Sequence, residues 1–294
     1  MQRHKRVGVL VHPTRNVDEP LQLLREWTQQ HGIEVVQIPA AYPQRSVAAE
    51  GDAADCDLIV SMGGDGTTLA ALRAGAMADR PVLGVACGSL GALANVMVAD
   101  AKRALERFSR GEWRPRRFPA LSIARSEGEA LYALNDLSVV RGGGGQVRLT
   151  ALVDGTLFVR MAGDGAVVST PIGTSGYAIS AGGPLFLPHV DAFVFTPLPH
   201  HGGFAPPLVI ASESELVIDV AGGFAGARVE VDGQVAGAGE GALTITFRPA
   251  VVTQVSFDDQ EPLLAGLRRR RILLDSPRLL AEADRDSVNR PAES

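Results

Sequence analysis

The chain is short of several things, and each shortage narrows what it can be. Its 294 residues include only two cysteines, Cys56 and Cys87. Two thiols cannot build a disulfide framework, and no Cys/His cluster has metal-site spacing. A reducing cytoplasm fits that usage. There is no run of eighteen or more apolar residues, so nothing is expected to span a membrane. There is no excess of positive charge either. Twenty-eight Lys+Arg against 33 Asp+Glu give a net charge of −5, which argues against general nucleic-acid binding. It leaves room for a phosphorylated ligand held by local N–H groups and a divalent cation. A signal peptide is not expected. Met1 to Arg6 is basic and Val7 to Val11 apolar, but the apolar run is too short and His12-Pro13 stands in place of small residues. A first buried strand is the better reading.

Apolar residues make up 46% of the chain, enough for real cores, and the length suits two modest domains or one large one. The first 110 residues alternate strand-like and helix-like patterns. Val7 to Val11, Val35 to Ile38, Asp57 to Met62 and Val82 to Ala86 read as strands. Leu21 to Gln30, Thr68 to Ala78 and Ala101 to Arg110 read as helices, the first with Leu21, Leu24 and Trp27 on one face. That order predicts a parallel sheet with crossover helices, whose ligands sit beyond the carboxyl ends of the strands. From about Trp113 onward short apolar or alternating runs recur between Gly and Pro, which predicts a β-rich second domain. Leu243 to Phe247 and Val251 to Phe257 count as two of these runs. Gly142 to Gly145 reads as a hairpin connection. Arg268 to Arg271 could contact phosphate or an acidic partner, and the plainer reading is a solvated helix face anchored by Leu267 and Ile272. The tail from Ala283 to Ser294 is polar and expected to be disordered. The expected division is residues 1–112, α/β and nucleotide-binding; 113–258, β-rich and dinucleotide-binding; and 259–294, returning to the first domain before the tail.

Two segments carry the chemistry. Gly63-Gly64-Asp65-Gly66-Thr67 joins the third strand to a helix. Glycines allow close backbone approach, and successive N–H groups at a helix N-terminus can hold an anion. A carboxylate there would repel a phosphate. Asp65 is therefore expected to accept a proton or hold a cation, the plainer alternative being a helix cap. The second segment, Gly163 to Pro184, is dense in small and hydroxylated residues, suited to hydrogen-bonding ribose, amide and phosphate groups without net charge.

Together these segments resemble the NAD kinase family. Its Gly-Gly-Asp-Gly-Thr loop matches Gly63 to Thr67. Asn135-Asp136 stands for its Asn-Glu pair, followed by matches at Asp164-Gly165, Ser169 to Pro171, Ser180 to Pro184 and Asp232-Gly233-Gln234. Thr174-Ser175-Gly176-Tyr177 stands for Ser-Thr-Ala-Tyr. The likeness runs from the first strand to about Asp275. The chain departs from the family at Ala86, Ala92, Asp136 and Gly176, where asparagine, phenylalanine, glutamate and alanine are usual. The resemblance implies a Rossmann-like α/β domain with a parallel sheet plus a β-rich domain, α+β overall. It implies transfer of the ATP γ-phosphoryl to the adenosine-ribose 2′-hydroxyl of NAD+, with Mg2+ or another divalent cation accompanying ATP. Asp65 would be the base. Gly63, Gly64, Gly66 and Thr67 would cradle phosphate. Asn135, Asp136, Asp164, Thr174, Ser175, Tyr177, Ser180 and Asp232 would serve the dinucleotide site. No residue is assigned as a metal ligand. A cytoplasmic homodimer or homotetramer binding neither nucleic acid nor membrane is implied. The alternatives are a lipid kinase of the same superfamily, acting on diacylglycerol or a sphingoid base, and a non-catalytic nucleotide-binding regulator on the same fold.

Overall fold

The computed structural model describes residues 5–126 and 128–279. The tail expected to be disordered, Ala283 to Ser294, lies outside the described residues. In chain order the first part contains β1 (Arg6–Val11), α1 (Asp18–His31), β2 (Glu34–Gln37), β3 (Leu58–Gly63), α2 (Asp65–Ala78), β4 (Val82–Ala86), β5 (Val96–Met97) and α3 (Ala101–Ser109). The second contains β6 (Arg114–Arg125), β7 (Leu131–Ala133), β8 (Asp136–Arg141), β9 (Val147–Val153), β10 (Thr156–Gly163), β11 (Gly165–Ser169) and α4 (Tyr177–Ser180). It continues with β12 (Ala192–Pro197), β13 (Leu208–Ala211), β14 (Glu215–Ala221), β15 (Ala227–Val231), β16 (Gln234–Ala238) and β17 (Gly241–Ser256), and α5 (Leu263–Arg269) follows.

The parallel strands run β4-β3-β1-β2. β3 and β4 are buried along their whole length, as strands covered on both faces must be. α1 buries Leu21, Leu24 and Trp27 and stops at Gly32, whose φ of 64° is the left-handed geometry of a helix end. The antiparallel part forms two layers. One is the order β13-β12-β11-β8-β15-β16, and the other is β10-β9-β14-β17, continuous with the parallel strands. Between them lies a core in which the Phe193 and Phe247 rings stack 6.4 Å apart. The fold is α+β, with a parallel α/β first part and a β-rich second part. Among the described residues no helix is long and apolar enough to cross a membrane.

Four expectations about elements need correction. α2 begins at Asp65, three residues before Thr68, because Gly64 takes the extended N-cap conformation and its carbonyl already accepts from Thr68 N at 3.0 Å. The runs Leu243 to Phe247 and Val251 to Phe257 are not two strands. A bulge between Arg248 and Val252 takes up Pro249 and Ala250, the latter at φ 56°, and β17 continues through them. Gly142 to Gly145 is not a hairpin: β8 pairs with β11 and β15, whereas β9 pairs with β10 and β14, so the glycines carry the chain from one layer to the other. Finally, Ile272 is 38% exposed and anchors nothing, although Leu267 is fully buried.

β17 and β6 pair along almost their whole length. Leu243 to Arg248 faces Ala120 to Arg125 in the antiparallel layers, and Val252 to Ser256 faces Arg114 to Phe118 beside the parallel strands, where Gln254 lies opposite Val82 of β4. In the other layer Ser169 at the end of β11 lies opposite Asp136 at the start of β8. The turn leaving β11 therefore emerges beside Asn135, and both face the loop at the carboxyl end of β3.

Candidate active site

β3 delivers Gly63 to the sheet edge and α2 starts two residues later. Gly63 is glycine for space: a Cβ there would lie 2.4 Å from Thr67 Oγ1. Thr67 and Thr68 are buried, and Thr68 Oγ1 donates back to the Gly64 carbonyl at 3.1 Å. Asp65 is the first helical residue and does not cap its own helix. Its carboxylate turns to the loop after β4. Oδ1 accepts from Leu93 N at 2.9 Å and Ala94 N at 3.0 Å, and Oδ2 from Ala92 N at 3.0 Å. That loop is moulded to it: a Cβ on Gly91 would fall 1.8 Å from Asp65 Oδ1.

Two arginines lie beside this carboxylate, and a third lies against the glycine turn before it. Arg270, beyond the end of α5, places Nη1 3.4 Å from Asp65 Oδ2. Arg116 of β6 donates to the Ala92 carbonyl at 3.3 Å and lies 4.7 Å from the Phe118 ring centre. Burial pulls its guanidinium below the usual arginine range, and Asp65 opposes that pull. Arg15, from the loop after β1, donates to the Cys87 carbonyl at 2.8 Å, within 3.7 Å of where a Cβ on Gly64 would stand. The solvated-face reading of Arg268 to Arg271 is thus wrong for Arg270. A cleft of about 210 Å³ is lined by Asp65, Asn135, Gly173, Ser175, Gly176, Arg116 and Arg270. A wider depression of about 670 Å³ adjoins it, sharing Ala92, Arg116 and Arg270.

The opposite wall is set by Asp232, in the β15–β16 turn at φ 51°. Its side chain is 1% exposed. Its carboxylate accepts from the backbone N–H of Asn135 at 2.7 Å, Leu134 at 3.2 Å and Asp136 at 3.2 Å, and Arg73 Nε lies 3.8 Å away. Burial pushes this carboxyl up, against the N–H groups and Arg73. Asp232 is thus a clamp on Asn135-Asp136 and offers no free oxygen to a dinucleotide. Asp232→Ala leaves three part-buried donors without their acceptor, at a cost of up to about 1–3 kcal/mol each. A clearly lowered urea midpoint is expected, and an unchanged midpoint would remove the clamp.

Asp136 is 9% exposed. Burial, then Asp232, then Glu230 push its carboxyl up to about 7. Asp232 has three N–H donors and a guanidinium to favour its charged form, so Asp136 is the better placed of the two to take a proton. The folded value lies above the unfolded one, so the folded chain holds the extra proton between about pH 4 and its folded value. Stability therefore falls as pH rises through that window. Asp136→Asn should flatten that part of the profile, so its urea midpoint should gain on the parent's between pH 5 and pH 8. Parallel profiles would refute the shift.

The remaining residues divide. Ser175 and Gly176 line the cleft with Asp65. Thr174 is fully buried; its hydroxyl donates to the Pro171 carbonyl at 2.8 Å and accepts from Phe186 N at 3.0 Å, so it holds the turn and cannot reach a ligand. Asp164 and Tyr177 line a second, more open depression with Glu230 and Arg141, and Asp164 pairs with Arg141 at 2.7 Å. Burial, then Glu230, Asp164 and Asp136 raise the Tyr177 phenol. Gly176 and Tyr177 are neighbours in the chain, so the two depressions adjoin at this turn. Ser180 is exposed at the end of α4, its hydroxyl 3.4 Å from the Gly176 carbonyl. Sequence reasoning missed Arg15, Arg116 and the contact of Gly91 with Asp65, and gave the run holding Arg270 a phosphate contact only as the lesser alternative. Gly91 did carry a signal, since it lies in the glycine-rich stretch past β4.

Residues 8–113 match the ATP-NAD kinase N-terminal domain family, and residues 134–247 the ATP-NAD kinase C-terminal domain family. The NAD kinase of Heliobacterium modesticaldum is 34% identical over 242 residues, covering 78% of this chain and 84% of that one. That of Acidobacterium capsulatum is 34% identical over 247 residues, covering 79% and 85%. An NAD kinase from Archaeoglobus fulgidus, solved in complex with ATP, superposes with a TM-score of 0.69 at 26% identity, covering 91% of this chain and 96% of that one. The yeast NADH kinase complexed with NADH has the same fold, with a TM-score of 0.78 at 20% identity, covering 95% and 91%. Two family domains in order and curated relatives matched along most of their length establish that the chain belongs to the NAD kinase family.

Proposed function

We propose that the chain transfers the γ-phosphoryl group of ATP to the 2′-hydroxyl of the adenosine ribose of NAD+, giving NADP+ and ADP. The observation that carries this reading is the placement of the Asp65 carboxylate, fixed by three backbone N–H groups, in one cleft with Asn135 and the Gly173–Gly176 turn. Such a transfer needs positioning and charge neutralisation more than covalent help. The ribose oxygen attacks the γ-phosphorus, the bond to the β-phosphate oxygen breaks, and the hydroxyl proton passes to Asp65. The N–H groups of Gly63 to Thr67 and the guanidinium of Arg15 are placed to meet donor phosphates. Asn135 and Ser175 face the acceptor, and Asp164 and Tyr177 extend its site into the neighbouring depression.

Among the described residues no group of three or more His, Cys, Asp or Glu could hold a metal ion. The family resemblance implies a divalent cation that arrives on the triphosphate and would keep most of its ligands from phosphate and water. MgATP is accordingly taken as the substrate. The chain is taken to be cytoplasmic and to assemble as a homodimer or homotetramer, as the family resemblance implies.

The test is NADP+ formation from NAD+, ATP and Mg2+. Ala86, Ala92 and Asp136, which depart from the family pattern, favour one alternative, a non-catalytic nucleotide binder. Calorimetric nucleotide binding with no NADP+ formed, across several donors and metals, would establish that alternative and sink the kinase. Phosphorylation of diacylglycerol or a sphingoid base in place of NAD+ would move the chain to a lipid kinase.

A further inference from the structure

We propose that Arg270 is the phosphoryl clamp of this site: its guanidinium leaves Asp65 Oδ2 for the γ-phosphoryl oxygens of ATP, and in leaving frees that carboxylate oxygen to take the ribose proton. The inference rests on the kinase reading above. It begins from an imbalance within the arginine run. Arg268 is paired with Asp275, and Arg269 with Glu261 and the Leu90 carbonyl. Arg270 alone of these three lines the cleft, and its side chain is 22% exposed. Nε donates to the Gly266 carbonyl at 3.2 Å, which steadies the guanidinium against its own helix. Nη1 is 3.4 Å from Asp65 Oδ2, well beyond the about 2.7–2.9 Å of a strong charge-assisted bond. Nη2 is buried with no hydrogen-bond partner among the described residues.

A buried donor without an acceptor is costly, and an arginine fork matches two oxygens of one phosphoryl group. The long contact on Nη1 and the empty one on Nη2 together make a fork in want of such a ligand. Arg116 does not compete for that part. It is held by the Ala92 carbonyl and the Phe118 ring, and remains as a fixed positive charge beside Asp65 when Arg270 moves. Oδ2 then keeps only the Ala92 N–H and has a lone pair for the incoming hydroxyl. Atoms and charge balance: one P–O bond forms to the ribose, one breaks to ADP, the proton ends on Asp65, and Arg270 stays protonated throughout.

The test compares the parent with Arg270→Met, Arg270→Lys and Arg270→Ala by kinetics, and the parent with Arg270→Met by calorimetry. An arginine supplied to a transferring phosphoryl is worth on the order of 10³-fold in kcat or more. Arg270→Met should show that loss with the KM for NAD+ changed by less than about threefold. Arg270→Lys should recover part of it, and added guanidinium ion should recover part of it in Arg270→Ala. By calorimetry the parent should bind ATP more tightly than ADP, and Arg270→Met should lose that preference while keeping its ADP affinity. A kcat within about threefold of the parent, or equal weakening of ATP and ADP, overturns the proposal. If the parent forms no NADP+, the kinase reading fails separately, and the ATP-against-ADP comparison still decides whether Arg270 holds the terminal phosphate.

Discussion

Asp65→Asn should lose on the order of 10²–10⁴-fold in NADP+ formation, the usual contribution of a positioned base. The substitution keeps the size of the side chain, so the effect reports charge and proton acceptance. It is not silent for folding. In the parent both carboxylate oxygens accept backbone N–H bonds, from Leu93 and Ala94 on one side and Ala92 on the other. An asparagine can point its oxygen at only one side. If it keeps Leu93 and Ala94, its amide nitrogen faces the Ala92 N–H and Arg270, both donors. That mismatch costs about 1–3 kcal/mol. A thermal melt therefore belongs beside the assay, with rates compared well below the lower melting temperature. Turnover equal to the parent's in a folded variant takes the base role away from Asp65.

Gly91→Ala should be nearly as damaging, although a methyl group is all it adds. The new carbon would stand 1.8 Å from Asp65 Oδ1 and 2.5 Å from its Cγ. No packing tolerates such distances, so either the carboxylate swings away or the loop carrying the Ala92, Leu93 and Ala94 N–H groups backs off. Both break the bonds that aim Asp65. A misplacement of about 1 Å is enough to cost roughly 10²-fold in rate. We expect at least that loss in kcat, together with a lower melting temperature. Gly66→Ala is the matched control for folding. Nothing lies within 4 Å of a Cβ there and the residue sits in the first turn of α2, so the melting temperature should hold or rise. A Gly91→Ala protein with parental turnover would show that Asp65 does not need this loop.

These two residues also mark how far the sequence could be followed. β1, β3 and β4 were legible because strands buried on both faces read as unbroken apolar runs. α1 was legible from its single apolar face. The long strand β17 was not, since Pro249 and a left-handed Ala250 look like a chain break until a bulge absorbs them. Asp65 stood out because a carboxylate among glycines is odd, but its partners lie 27 to 29 residues on and no local pattern announces them. Arg270 is 205 residues from Asp65. In the sequence it is one of four arginines, and only the geometry beyond α5 separates it from its neighbours. Asp232 was found by family likeness, as a residue supporting the dinucleotide site from behind or across a subunit contact. The structure puts it behind Asn135, where its carboxylate takes the N–H groups of Leu134, Asn135 and Asp136.

The paired strands β6 and β17 have a mechanical meaning. Each runs without a break from the layer beside the parallel strands into the antiparallel layers, and the two are hydrogen-bonded to each other on both sides of the bulge. One wall of the cleft, with Asp65, hangs from the first region. The other, with Asn135, hangs from the second. A ladder of that kind resists bending more than a flexible linker does. Asp65 and Asn135 line one cleft, and the paired strands join the regions that carry them. Chemistry at this site is then a matter of filling that cleft, with Arg270 as the piece free to change partners.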